Sequence, residues 1–115
     1  MKKTMLAIVA AAALAAPAAA AAPSPTRTLR VDRPSRAGAA HATVVHVVRG
    51  RMPAHRTTAR VLTDTRCQPD ARGVSHCLNK MRLANGAAIV ARHDHRMMDM
   101  PCLDPGERVV VRPAV

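Results

Sequence analysis

The sequence predicts an all-β domain, a small five-stranded barrel or sandwich, with an OB-type barrel among the options. Three observations predict it. Several short runs are rich in β-branched residues. They are separated by turn signals, Asn85-Gly86 and Asp104-Pro105-Gly106-Glu107 among them. No stretch of 41–115 carries a helical repeat of apolar residues.

Taken in order, Met1-Lys2-Lys3 gives a positive start, and Met5 to Ala16 is apolar but shorter than the roughly 20 residues a bilayer core requires. Residues 1–21 therefore read as a signal peptide with an A-x-A cleavage site around Ala18 to Ala21, which places the mature protein outside the cytoplasm, secreted or periplasmic. No later segment is long and apolar enough to be a transmembrane helix. Residues 22–40 are Pro-, Arg- and Ala-rich, with Pro23, Pro25 and Pro34 interrupting regular structure, and read as a disordered linker. Residues 41–115 remain as a single small β domain. With no Phe, Tyr or Trp in the chain, its core must come from Val, Leu, Ile, Met and Ala, and a cross-link or metal would help so small a core.

Strands are expected over Thr43 to Arg49, Thr57 to Asp64, Cys77 to Ala84, Ala87 to His95, and Arg108 to Arg112. Asn85-Gly86 between the third and fourth is the strongest short hairpin signal, since a two-residue turn needs positive φ at both positions. In that turn Ala84 pairs with Ala87, so opposed residue numbers sum to 171. Leu83 then faces Ala88 and Met81 faces Val90 as a core face, while His76, His93 and His95 converge on the other. Asp94 points away from that patch and is expected to pair with an arginine.

Chemistry concentrates between Arg92 and Cys102, where His93, His95, Met97, Met98, Met100 and Cys102 stand within ten residues. Imidazole, thioether and thiolate suit soft or borderline metals, copper above all. Alternation puts His93 and His95 on one side of a strand, so a single ion can take both. The neighbouring Asp94, Arg96 and Asp99 make the segment polar, which suits a ligand loop better than a buried methionine stripe. Of the three cysteines, Cys67 and Cys77 bracket a turn-rich loop that a disulfide would close, worth about 2 to 3 kcal/mol. Cys102 would then be a free thiol beside the His/Met cluster, although pairing of Cys102 with either other cysteine, or between chains, stays open at this level.

Fifteen arginines and three lysines against seven acids give a formal +11, and loss of Lys2 and Lys3 leaves +9. Such a surface favours anionic envelope components or an acidic partner protein. Specific nucleic-acid recognition is not expected, since no aromatic is present to stack bases. Enzyme signatures are missing: there is no G-x-S-x-G, no H-E-x-x-H and no Gly-rich phosphate loop. The sequence therefore points to a non-enzymatic protein.

In layout and residue types from Thr43 to Arg112, the chain resembles the small periplasmic copper and silver efflux metallochaperones, which are OB-type barrels. That resemblance implies a Cu(I) or Ag(I) site built from His93, His95, Met97, Met98 and Met100; those proteins also set a tryptophan against the metal, and none is present here. The ligand inventory is also similar to that of the cupredoxins, whose ligands run Cys, His, Met, whereas here the order is His, Met, Cys. The function expected is copper binding by an exported β domain through some of His76, His93, His95, Met97, Met98, Met100 and Cys102. The alternative is a disulfide-stapled basic module for an anionic partner.

Overall fold

In a computed structural model, which describes residues 27–114, the chain folds as a closed antiparallel barrel of six strands. They are β1 (Thr28–Asp32), β2 (Ala42–Arg49), β3 (Thr57–Thr65), β4 (Ser75–Leu83), β5 (Ala88–His95) and β6 (Arg108–Pro113), and a single 3-10 turn (Gly38–His41) precedes β2. Around the barrel the order is β1-β2-β5-β4-β3-β6, closed by β1 against β6. The expected signal peptide lies outside the described residues. Among the described residues no helix is long and apolar enough to cross a membrane.

The sixth strand corrects the reading of 22–40 as a linker. Pro34 does end regular structure, but before it Leu29 and Val31 alternate with polar residues and are fully buried. With those two side chains in the barrel, β1 pairs with both β2 and β6, leaving no sheet edge open.

The β4–β5 hairpin corrects the register. Asn85 keeps negative φ, so the two-residue turn does not form; only Gly86, at φ 88°, is left-handed. The Gly86 amide donates to the Leu83 carbonyl (2.9 Å) and the Leu83 amide to the Ala87 carbonyl (2.8 Å). This is a three-residue loop, a type I turn followed by a glycine bulge. Opposed numbers now sum to 170: Met81 faces Ile89, Cys77 faces His93, and His76 faces Asp94. Because side chains alternate across a strand, that one-residue slip moves His93 and His95 inside while His76 stays outside. Met81 and Leu83 are core residues as expected, but Ile89 and Ala91, not Ala88 and Val90, join them.

The interior is apolar at the hairpin end, where Met81, Leu83, Ile89 and Ala91 meet Val61, Val109 and Leu29. Along β4 the inward positions then become Asn79, Cys77 and Ser75, and along β5 they become His93 and His95. Both strands thus change from apolar to polar toward the same end of the barrel. Arg33, fully buried just past β1, enters that end.

Two glycines separate backbone conformation from space. Gly50 (φ 96°) and Gly86 both occupy the left-handed region, but a Cβ at Gly50 would lie 2.8 Å from the Ala88 carbonyl oxygen, whereas Gly86 has open space around it. Gly86→Ala should therefore cost about 1 kcal/mol from conformation alone, and Gly50→Ala about 2 kcal/mol or more. Urea midpoints check this; equal losses would mean that the strand end at Gly50 relaxes.

Acid should loosen the polar end. Burial, with His95 and Arg33 adding positive potential, pushes the His93 pKa down to about 3. An imidazole kept neutral in the fold binds protons more readily once unfolded, so its contribution is intact above about pH 6.5 and falls as pH drops toward 3. Burial pushes the Glu107 carboxyl up, but the hydrogen bonds and charge of Arg33 outweigh it, leaving it below its ordinary value and adding acid loss in the same direction. His76 works oppositely, its pKa raised by hydrogen bonds to Asp94 and then Asp70, yet it is exposed and counts for less. Unfolding free energy should fall between pH 6.5 and 4, and His93→Gln should flatten that slope; an unchanged slope in the variant would remove His93 from the account.

Candidate metal centre at the polar end of the barrel

Three sulfurs and a carboxylate meet where β3, β4 and the segment after β5 come together. One ligand atom each from Asp64, Cys67, Cys77 and Cys102 lies within 4.8 Å of the others. Cys67 and Cys77 are joined as a disulfide, the pairing that the turn-rich loop suggested, and Cys102 is the free cysteine. The intervening loop is held locally: Asp70 accepts from the amides of Arg72 and Val74, and Pro69 bridges to Ser75. Cys67 Sγ is 3.2 Å from Asp64 Oδ1, an oxygen that also accepts a 2.9 Å bond from buried Asn79.

Donors from the segment after β5 border this cluster. The Cys102 thiol donates toward the Met97 thioether at 3.4 Å. His95 Nδ1–H donates to the Met100 carbonyl (2.7 Å), so in the neutral ring the lone pair is on Nε2, 3.2 Å from Cys77 Sγ. A backbone carbonyl behind an imidazole is the outer support usual for a metal-binding histidine. His93 stacks on His95 with ring centroids 4.1 Å apart, and its Nε2 meets the Thr43 hydroxyl at 2.9 Å. Its Nδ1 and the Asn79 Oδ1 are the buried polar side-chain atoms without a hydrogen-bond partner among the described residues.

The histidine patch expected on one face therefore does not form. His76 is outside, gripped by Asp94 (2.6 Å) on Nδ1 and Asp70 (2.9 Å) on Nε2, so both ring nitrogens serve ion pairs and neither is free for a metal. Asp94 also pairs with Arg92, as its expected orientation implied. Met98 is 99% exposed and apart from the cluster. Met100 turns its sulfur to the Arg33 guanidinium at 3.4 Å and supports His95 through its carbonyl. Of the seven residues expected as ligands, Cys102 falls in the cluster, with Met97 and His95 on its border. Asp64, Cys67 and Cys77 complete it. Asp64 carried no signal in the sequence beyond standing three residues before Cys67.

Electrostatics keep Cys102 a thiol at rest. Partial burial and the adjacent Asp64, by hydrogen bond and by charge, push its pKa above the ordinary value. A raised thiol is a poor nucleophile but a sound ligand once a metal displaces its proton. Sulfur-rich with one imidazole at its border, the donor set suits a soft metal. No family model, curated protein or solved structure matches this chain.

Proposed function

We propose that this is an exported, non-enzymatic β-barrel protein that binds a soft transition metal, copper as Cu(I) first, for storage, delivery or protection. The observation that carries the reading is the approach of Asp64, Cys67, Cys77 and Cys102 to within 4.8 Å at one end of the barrel. Met97 and His95, with its lone pair toward the same sulfurs, add soft and borderline donors at the rim. The resemblance in layout to periplasmic copper and silver metallochaperones supports the same reading, with the ligand set moved from His93 and the outer methionines toward the cysteines.

The disulfide sets the terms of binding. With Cys67 and Cys77 joined, Cys102 supplies the thiolate and Met97 the thioether; opening the disulfide adds two thiolates at the same place, since the thiolate is the ligand form. Cu(I) should therefore bind more tightly to reduced than to oxidised protein, and in both states far more tightly than Mg(II) or Ca(II), which prefer oxygen.

Competition against a calibrated Cu(I) chelator at neutral pH tests this. Cys102→Ser should weaken Cu(I) binding at least tenfold, about 1.4 kcal/mol, in both redox states. Met97→Leu should weaken it less, and Cu(I) more than Cu(II). His76→Ala should leave it unchanged. Equal competition by the wild-type and Cys102→Ser proteins in both states would end the copper reading.

A further inference from the structure

The strand registers assemble an arginine face that the metal site does not use. Arg60 in the middle of β3 stands directly opposite Arg82 on β4 and directly opposite Arg108 on β6. Three guanidinium-bearing side chains thus form one row across three neighbouring strands, with Cβ atoms about 5 Å apart at each step. Four residues further along β6, roughly 13 Å away, Arg112 stands opposite Arg30 on β1. All five side chains are exposed. Among the described residues none of the five forms an ion pair, and the nearest restraint is a hydrogen bond from Arg82 to the Gly86 carbonyl. The registers place one carboxylate on this face, Asp32, opposite Val110.

Like charges directly opposed across strands destabilise a sheet, and among the described residues no ion pair offsets the row. The row borders an open groove of about 360 Å³, where Thr58 and Val110 add uncharged surface between the row and the Arg30–Arg112 pair. The groove has no aromatic side to hold a base or ring; its floor is mostly apolar, with Pro34, Ala84 and Val110 among its lining, and its charge lies in the arginines Arg60, Arg82 and Arg108 that border it. What it offers is a ladder of bidentate donors for oxyanions repeated along a chain.

We infer that the face formed by Arg60, Arg82, Arg108, Arg112 and Arg30 is a binding site for a linear phosphate polyanion, recognised through its chain phosphates and not its substituents. This site is independent of the metal reading, because its residues point outward from β4, β3, β6 and β1 while the sulfur cluster lies at the barrel's end.

The test uses the full-length mature protein with its disulfide intact, titrated with long-chain inorganic polyphosphate across a range of salt concentrations. The triple variant Arg60→Gln, Arg82→Gln, Arg108→Gln is compared with a triple of identical net charge, Arg51→Gln, Arg66→Gln, Arg72→Gln, whose side chains are exposed elsewhere. The face variant should lose at least tenfold more affinity than the control, and its dependence of log K on log salt should be shallower by about 2, the release expected for three lost phosphate contacts. Arg60→Gln alone, at the centre of the row, should lose at least threefold, which covers a folding failure of the triple. A deoxythymidylate oligomer distinguishes the source: weaker binding than polyphosphate supports a site for a phosphoanhydride chain read through its phosphates alone, and tighter binding overturns that in favour of a phosphodiester polymer read through its substituents as well. Equal losses in the two triples would reduce the effect to net charge and overturn the inference. Binding to anionic phospholipid vesicles but to neither linear polymer would overturn it too.

Discussion

The buried guanidinium of Arg33 is the interaction on which the polar end of this barrel depends. Its five N–H donors all find acceptors: both oxygens of Glu107 at 2.7 Å, the Pro101 and Cys102 carbonyls at 2.8 and 2.6 Å, and the Met100 sulfur at 3.4 Å. Taking a guanidinium and a carboxylate out of water costs several kcal/mol per ion, and only near-complete hydrogen bonding offsets it. That requirement is met here by a segment that has no strand of its own. Residues 100–102 are fixed by bonding Arg33 on one side and His95 on the other, through the Met100 carbonyl. Cys102 is therefore placed beside the disulfide by a residue 69 positions earlier in the chain.

A second constraint is parity. The three-residue loop at Leu83–Ala87 decides which side chains of β4 and β5 enter the barrel, and everything at the far end inherits that choice. Inside are Cys77, His93 and His95, stacked or bonded to one another and shielded from water. Outside are His76 and Asp94, tied into an exposed ion-pair cluster with Asp70 and Arg92. Identical residue types take opposite roles because one loop residue lies in the left-handed region and its neighbour does not.

The sequence was legible where a local pattern and the tertiary outcome agreed. β-branched runs became β2, β3 and β6, and two cysteines around a turn-rich loop became the disulfide. It was illegible where one local pattern serves two outcomes. Asn85-Gly86 fits a two-residue turn or a three-residue loop with a glycine bulge, and what separates them is the depth of burial offered to Ile89 and Ala91 against Ala88 and Val90. β1 was hidden because prolines and arginines surround the two apolar residues that make it a strand. Arg33 was indistinguishable from the other arginines, a residue type almost always solvated, until Glu107 met it across 74 positions.

The strong positive charge bears differently on the two surfaces. Long-range fields speed the arrival of anions and slow that of free cations, so a formal net charge of +11 would disfavour capture of a bare metal ion at low salt. At physiological ionic strength the field decays over about 8 Å, and inner-sphere bonds to thiolate and thioether form at shorter range than that. Metal binding at the barrel end should thus be set by donor chemistry and by the redox state of Cys67 and Cys77, with little salt dependence. The arginine face has only charge and guanidinium geometry to offer, and its binding must weaken steeply as salt rises. Opposite responses to one variable follow from a fold that turns Cys77, His93 and His95 inward and Arg30, Arg60, Arg82, Arg108 and Arg112 toward solvent.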